Sequence, residues 1–399
     1  MALTPALHAR FGALFERIQA SAAERDRLRT LPYAEVAALA EAGFGALRLP
    51  LELGGSGLTL AELTEALLAL AEADSNFPQI LRAHFIFVES LLLAAPSAAR
   101  ELWLERVAAG ALIGGAHTER GRANSDHFAT RVEQDGERQW LSGEKYYSTG
   151  SLYADWIATL AEGEDDRLLL VAVPRQGQGV TLLDDWNGFG QRLTASGTTR
   201  FERVPVSPAS HLPSFDRLGP YGTSLAQHFH LIGLAGIARA AHREVLAYVR
   251  GRTRYFAQGG GALPKDDPII QAVVGEVSSS AYGAEVLVRD IGRQLDTLGM
   301  LVAAPEQDQA AIEAIEHDVF RAQHSISASV LQATTRLFDV GGASALDAQK
   351  NWDRFWRNAR TLASHNPIGF RLKAIGAHDL NGTVALRRWY SGVDLSQRL

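Results

Sequence analysis

The stretch "RFWRNARTLASHNPIGF", residues 354–370, sets two arginines three apart ahead of a His-Asn-Pro sequence. Alone, Arg-x-x-Arg describes a solvated helix face and His-Asn-Pro an ordinary turn. Its meaning depends on the chain around it. Going back from it, residues 223–257, 268–299 and 306–339 are long segments of helical periodicity, joined by "QGGGALPKDD" and "GMLVAAPEQD". Between about 116 and 222 the period shortens. "HFATRVEQDG", "RQWLSGEKYYSTG", "DWIATLAEG", "RLLLVAVP" and "GTTRFERVPV" are short, rich in β-branched and aromatic residues, and broken by Gly, Asp and Pro. They predict a small antiparallel β domain. Residues 5 to about 110 return to helical spacing, with Gly43 and Gly45 breaking one segment and Thr59 capping the next. The expected architecture is mainly α with an inserted β domain: an N-terminal helical domain over 1–115, a β-barrel over 116–222 and a helical bundle over 223–399.

Composition narrows the function classes. The 399 residues are 46% hydrophobic and 21% charged, with net charge -6, which gives no basic footprint for nucleic acid or an anionic membrane. The longest apolar runs, such as "LIGLAGIA" (231–238), are far short of a bilayer span. The first residues read as an amphipathic helix and not a signal peptide, so a cytoplasmic address is expected. Cysteine is absent, which removes disulfides, thiolate metal sites and cysteine nucleophiles. Methionine occurs twice, at Met1 and Met300. GC-rich coding bias and selection for synthesis under sulfur scarcity both account for so little sulfur.

The chain has no G-x-G-x-x-G opening a βαβ unit, no phosphate loop, no G-x-S-x-G elbow and no H-E-x-x-H. Nicotinamide, nucleotide-hydrolase, serine-hydrolase and zinc readings all weaken, and no metal site is expected. His228 and His230, two apart near a helix start, read as surface residues.

Four stretches, in this order, carry a resemblance: "LRLPLELGGSGLT" (47–59), "AHTERGRANSD" (116–126), "LSGEKYYSTG" (141–150), and "FDVGGASALD" followed by "RFWRNAR". Together they resemble the acyl-CoA dehydrogenase superfamily, whose fold has the same three-part order. In its common dehydrogenases the catalytic base is a glutamate nine residues after the first arginine of Arg-Asp-Ala-Arg. Counted from Arg357, that position holds Asn366, whose amide has no basic lone pair near neutral pH. Glu244 is the only acid on the long helix where a displaced base would sit. "DRFWRNARTLASHNPI" (353–368), "DDWNGFGQRLTASGTT" (184–199), "RTRYFAQGG" (252–260) and "DDPIIQAVVGEV" (266–277) resemble instead the superfamily's flavin-dependent monooxygenases, of the dibenzothiophene and methanesulfinate type.

That resemblance implies reduced FMN from a separate NAD(P)H-dependent flavin reductase, molecular oxygen as co-substrate, and oxygenation of a small organosulfur compound through a flavin hydroperoxide. It implies His84 and His365 as catalytic groups with Thr149. Asn124, Thr149, Trp186 and Ser196 are the expected flavin contacts, and Arg254 the phosphate ligand of a flavin held largely by a neighbouring subunit. A homotetramer, a dimer of dimers, follows from that sharing. The tail "RRWYSGVDLSQRL" is expected to fold over the active site. Alternatives are an FAD-dependent dehydrogenase with a displaced base, an amine N-hydroxylase of the same fold, and a non-catalytic binding subunit.

Overall fold

The computed structural model describes residues 3–121, 128–164, 167–212, 219–259 and 263–382. The N-terminal region is helical: α1 (Pro5–Leu28), α2 (Tyr33–Glu41), α3 (Leu60–Ala73), α4 (Asn76–Leu93) and α5 (Ala98–Ala108). Thr59 does cap α3. Its hydroxyl accepts the Glu62 N–H at 3.2 Å, and the Glu62 carboxylate accepts the Thr59 N–H at 2.9 Å. Two of the helix's unpaired amides are thereby satisfied.

Seven described strands follow: β1 (Ile113–Ala116), β2 (Arg131–Asp135), β3 (Arg138–Lys145), β4 (Trp156–Glu162), β5 (Leu168–Pro174), β6 (Val180–Leu182) and β7 (Thr199–Val206). They form one curled sheet in the order β1-β4-β2-β3-β7-β6, with β5 on the other side of β4. The sheet is mixed, which corrects the antiparallel expectation. β1 runs parallel to β4, Ile113 facing Trp156, and β2 meets β4 in parallel at Arg131 and Glu162. The reason lies in the connections. The β2–β3 hairpin intervenes between β1 and β4, giving the crossover length that a parallel pair needs.

The C-terminal region comprises α6 (Gly219–Gly251), α7 (Pro268–Ala303), α8 (Gln309–Arg336), α9 (Asp353–Ala363) and α10 (Ile368–Asn381). "DDPII" starts α7 as its chemistry dictates: the Asp267 carboxylate accepts the Ile269 N–H at 2.8 Å, and Pro268 takes the first position, where no N–H is needed. One continuous apolar core joins α1, α3, α4, α6, α7 and α8. A second, built on Phe87, Trp103, Ile113, Ala158 and Leu170, fixes α4 and α5 to the sheet. α6 is the axis of the bundle, packed against α3, α4, α7, α8 and α9. Among the described residues no helix is long and apolar enough to cross a membrane.

Candidate functional site

Two of the three arginines of the opening stretch, Arg354 and Arg357, are cross-links. α9 buries Phe355, Ala359 and Leu362 in the bundle. From it Arg354 pairs with Glu244 of α6 and donates to the Asn351 carbonyl at 3.0 Å. Arg357 reaches Asp26 of α1 at 2.7 Å and the Phe189 carbonyl at 3.0 Å. Asp26 is buried, so Arg357 neutralises a carboxylate that water cannot solvate. α9 stops at Ala363, and Pro367 opens α10, leaving His365 and Asn366 in the turn between them. The Asn366 amide donates to Gln227 Oε1 at 2.9 Å. A dehydrogenase therefore has no carboxylate where it needs one. Asn366 fills the base position, and Glu244 is engaged by Arg354.

His365 packs against His230 of α6, ring centroids 4.1 Å apart and planes tilted by 39°. His230 is only 1% exposed, and neither of its ring nitrogens has a partner among the described residues. His228 is buried too, its Nε2 at 2.8 Å from Thr64 Oγ1. Both correct the surface expectation. α6 runs through the middle of the bundle and has no solvent face at that level. Gln227 and His230, three apart, lie on the side of α6 that meets the 365–366 turn. Desolvation, then His365 and Arg82, hold His230 well below the ordinary imidazole pKa. His365 is exposed at one edge yet crowded by protein. Desolvation first, then Arg82, shifts it in the same direction, against a hydrogen bond with Asn366. Both rings are neutral near pH 7.

His117 stands just after β1, at the edge of the β domain. A Cβ built on Gly115 would lie 2.9 Å from Ala83 Cβ and 3.1 Å from His117 Nε2, so only glycine lets β1 and His117 close against α4 beside Arg82. The His117 Nδ1 is buried without a described partner. Desolvation, then Lys145 and Arg82, pushes its pKa down to about 4.

His84 is placed differently. Its Nε2 donates to the Gly45 carbonyl at 2.9 Å and its Nδ1 accepts the Ile113 N–H at 3.2 Å. A side chain at position 45 would collide with the ring. Burial holds the imidazole neutral, with a pKa of about 4. Both nitrogens are committed to backbone, leaving no donor or acceptor for a reacting oxygen.

On the β-domain side, Thr149 Oγ1 lies 2.8 Å from Ser196 Oγ, which lies 2.8 Å from Thr194 Oγ1. Thr194 donates to the Gln191 carbonyl at 2.8 Å, as does Trp186 Nε1 at 3.0 Å. The Trp186 ring stands 6.1 Å from that of Tyr147, which has a φ of 62° and is 52% exposed. The Thr149–Gly150 turn abuts α4 at Ile80, two residues before Arg82. One turn of α4 thus joins the hydroxyl group to the histidine group.

Of the sequence-predicted residues, the structure brings Thr149, Trp186 and Ser196 together, while His365 stands on the turn between α9 and α10. Arg254 lies apart, exposed beyond the end of α6 and with no described partner. Asn124 and the C-terminal tail lie outside the described residues. Arg82, His117, Tyr147 and His230 were missed. Arg82 stood two residues before a histidine already singled out, and Gln227 and His230 share the i, i+3 spacing of one helix face. A groove of about 650 Å³ lined by Phe15, Glu65, Glu72, Arg239, Glu285 and Arg289 touches none of these groups.

The donor set fits a flavin: an exposed aromatic face at Tyr147 and a half-buried one at Trp186, paired hydroxyls at Thr149 and Ser196, and a guanidinium at Arg254 suited to phosphate. The acyl-CoA dehydrogenase N-terminal domain matches residues 12–111 and the acyl-CoA dehydrogenase C-terminal domain residues 232–369, together more than half of the chain. The chain belongs to the acyl-CoA dehydrogenase family. It is 28% identical over 386 residues to the probable FMNH2-dependent monooxygenase SfnC of Pseudomonas putida, covering 93% of this chain and 94% of that protein. Two solved structures are similar throughout. FMN-bound TdsC from Paenibacillus sp. A11-2 superposes with a TM-score of 0.88 at 25% identity, over 96% of this chain and 100% of that one. Methanesulfinate monooxygenase MsuC from Pseudomonas fluorescens gives a TM-score of 0.86 at 28% identity, over 98% and 100%.

Proposed function

We propose that this chain is a reduced-FMN-dependent monooxygenase that oxygenates a small organosulfur compound, receiving its flavin from a separate NAD(P)H-dependent reductase. The observation that carries this reading is the turn after α9. Asn366 occupies the base position and is tied to Gln227, while its neighbour His365 presents a neutral imidazole stacked on His230. The names of similar proteins, FMNH2-dependent SfnC and methanesulfinate monooxygenase MsuC, support the same chemistry.

Bound reduced FMN would supply the electrons that activate oxygen. The residues of the chain would do the rest. Tyr147 and Trp186 would pack the ring, Thr149 and Ser196 would hydrogen-bond its edge, and the neutral His365 would donate a hydrogen bond at the reacting oxygen. Arg254 would hold the phosphate of a neighbouring subunit's flavin, which makes the working form a homo-oligomer, a dimer of dimers. Tyr255, Phe256 and Leu263 are exposed around it and suit such an interface. The scarcity of sulfur in the chain suits an enzyme made when sulfate is limiting.

The test couples the protein to a flavin reductase with NADH and FMN and offers sulfinates, sulfones and thiophenes. An oxygenated product is expected. Peroxide alone with every substrate, or bleaching of bound FAD by an acyl-CoA without oxygen, would overturn the reading.

A further inference from the structure

We propose that Thr194 sets the direction of a hydroxyl chain that leaves Thr149 an acceptor only, so that the site favours reduced over oxidised flavin. Thr194 is a positioning residue here, acting through Ser196 and Thr149. The inference rests on the monooxygenase reading and adds to it a residue that decides which redox state of the cofactor is held.

Three oxygen–oxygen contacts run in a line. Thr149 Oγ1 lies 2.8 Å from Ser196 Oγ, Ser196 Oγ 2.8 Å from Thr194 Oγ1, and Thr194 Oγ1 2.8 Å from the Gln191 carbonyl. All three hydroxyl residues are buried. At that distance each contact needs one hydrogen between its oxygens. The three hydroxyls carry one hydrogen apiece and the carbonyl carries none. Only one arrangement supplies every contact: Thr194 donates to Gln191, Ser196 to Thr194, and Thr149 to Ser196. Reversing any link leaves two oxygens facing each other bare. The Tyr147 carbonyl, 3.4 Å from Thr149 Oγ1, also only accepts, so a bond there would spend the same hydrogen. Thr149 therefore turns lone pairs, and no O–H, toward whatever binds beside it.

The carbonyl that fixes the direction is itself fixed. Gln191 has a φ of 50°, and its N–H donates to Asn358 Oδ1 of α9 at 2.6 Å. Its side-chain amide donates to Ser75 Oγ at 3.1 Å, and its carbonyl accepts Trp186 Nε1 as well, at 3.0 Å. Ala195, between Thr194 and Ser196, has a φ of 52°, and Tyr147, two residues before Thr149, one of 62°. Non-glycine residues seldom take this left-handed conformation, and it persists where the surroundings over-determine it. The two turns are also tied to each other, Ser148 N–H to the Gly197 carbonyl at 3.1 Å and Gly150 N–H to the Thr194 carbonyl at 2.9 Å.

Chemistry then selects the redox state. A flavin ring has a nitrogen that carries only a lone pair when oxidised and gains a hydrogen when reduced. Against the oxidised nitrogen, a buried acceptor sets lone pair on lone pair. Against the reduced one it receives a hydrogen bond. A hydroxyl with its hydrogen free would do the reverse and hold the oxidised ring. The direction of the chain, fixed at Thr194, is thus what sets the preference.

The full chain is titrated without oxygen, with oxidised FMN and with dithionite-reduced FMN, and the midpoint potential of the bound flavin is measured against a reference dye. Reduced FMN is expected to bind more tightly. Thr194→Val removes the link while the Gln191 carbonyl keeps its bond from Trp186. Ser196 is then free to donate to Thr149, whose own O–H is released toward the ligand. The ratio of oxidised to reduced dissociation constants is expected to fall about tenfold, the scale of one hydrogen bond. For a two-electron couple that lowers the midpoint potential by about 30 mV. Thr194→Ser restores the hydroxyl and is expected to restore both values. If Thr194→Val fails to fold by circular dichroism, Thr149→Val supplies the comparison, with reduced FMN held about tenfold more weakly and oxidised FMN unchanged. An unchanged ratio in the variant that folds overturns the inference and leaves the monooxygenase reading standing. So does equal weakening of both states, which would set Thr149 against a nitrogen that carries hydrogen in both. Wild-type protein that binds FMN in neither state overturns that reading, and the inference with it.

Discussion

His84 and His365, the two histidines that the sequence singles out, are built in opposite ways. His84 is locked at both nitrogens, donating to Gly45 and accepting from Ile113, so it joins the 43–46 turn, α4 and the first strand into one body. His365 rests on His230 by ring contact, on a turn that a proline and two side-chain amides hold in place. Both imidazoles are neutral near pH 7, so charge does not separate them. What separates them is how they are held: His84 is tied through both nitrogens to distant backbone, while His365 rests on the His230 ring and bonds its own neighbour Asn366. A polar group with every partner supplied by its own chain holds the fold; one without them is available to a ligand.

The largest effect that would break this comparison is catalytic. His365→Ala is expected to cut oxygenated product about 10²-fold or more, the scale of a positioned acid or hydrogen-bond donor. Oxygen uptake should continue and divert to hydrogen peroxide, measured by an electrode beside a product assay. Wild-type coupling in that variant would return His365 to structure.

Arg254→Ala should weaken flavin binding by about 1.5–3 kcal/mol, the range for a charge-assisted hydrogen bond, with the melting temperature nearly unchanged. Arg254 is exposed and has no described partner, so the fold loses nothing with it. Unaltered affinity in fluorescence titration would put the phosphate elsewhere.

His84→Ala should act on stability, by about 2 kcal/mol, because it strands a buried carbonyl and a buried N–H. Chemical denaturation reads this directly. Product per oxygen consumed should stay near wild type in the folded fraction. Loss of coupling with unchanged stability would reverse the roles of the two histidines.

A smaller effect follows from pH. His84, at about 4, and His228, at about 3, titrate well below an unfolded histidine near 6.5. The unfolded chain therefore binds protons first. The stability that these groups contribute is complete above about pH 6.5 and lost as pH falls toward 4, by at most about 1.4 kcal/mol per pH unit for each group. Glu316 works the other way. Burial raises it to about 7, so its contribution is full below an unfolded carboxyl's range and is lost as pH rises through 7. Urea midpoints at pH 7.5 and 5.5 should show a net fall toward acid, and the fall should be shallower in His84→Ala. An unchanged slope in that variant would mean that His84 is not the buried neutral group described.

The smallest expected effect is none. Asn366→Glu restores a carboxylate beside His365 and should yield no acyl-CoA dehydrogenation, followed by dye reduction without oxygen. Activity there would revive the dehydrogenase alternative.

Periodicity in the sequence determined the order of helices, sheet and bundle, because burying one face repeats locally along the chain. It also determined the caps at Thr59 and Asp267, whose partners lie within three residues, and the missing base at Asn366, which needs only counting along a motif. Only the tertiary structure decided what depends on groups distant in sequence. β1 runs parallel to β4 because a hairpin intervenes between them. His230 is buried because α6 became the axis of the bundle, and its stacking on a residue 135 positions later brings an unsatisfied ring to His365. His84 became a clamp because Gly45 and Ile113 close on it from two other elements. Local chemistry is written in the neighbouring letters; whether a nitrogen is spent or spare is settled only when the distant chain arrives.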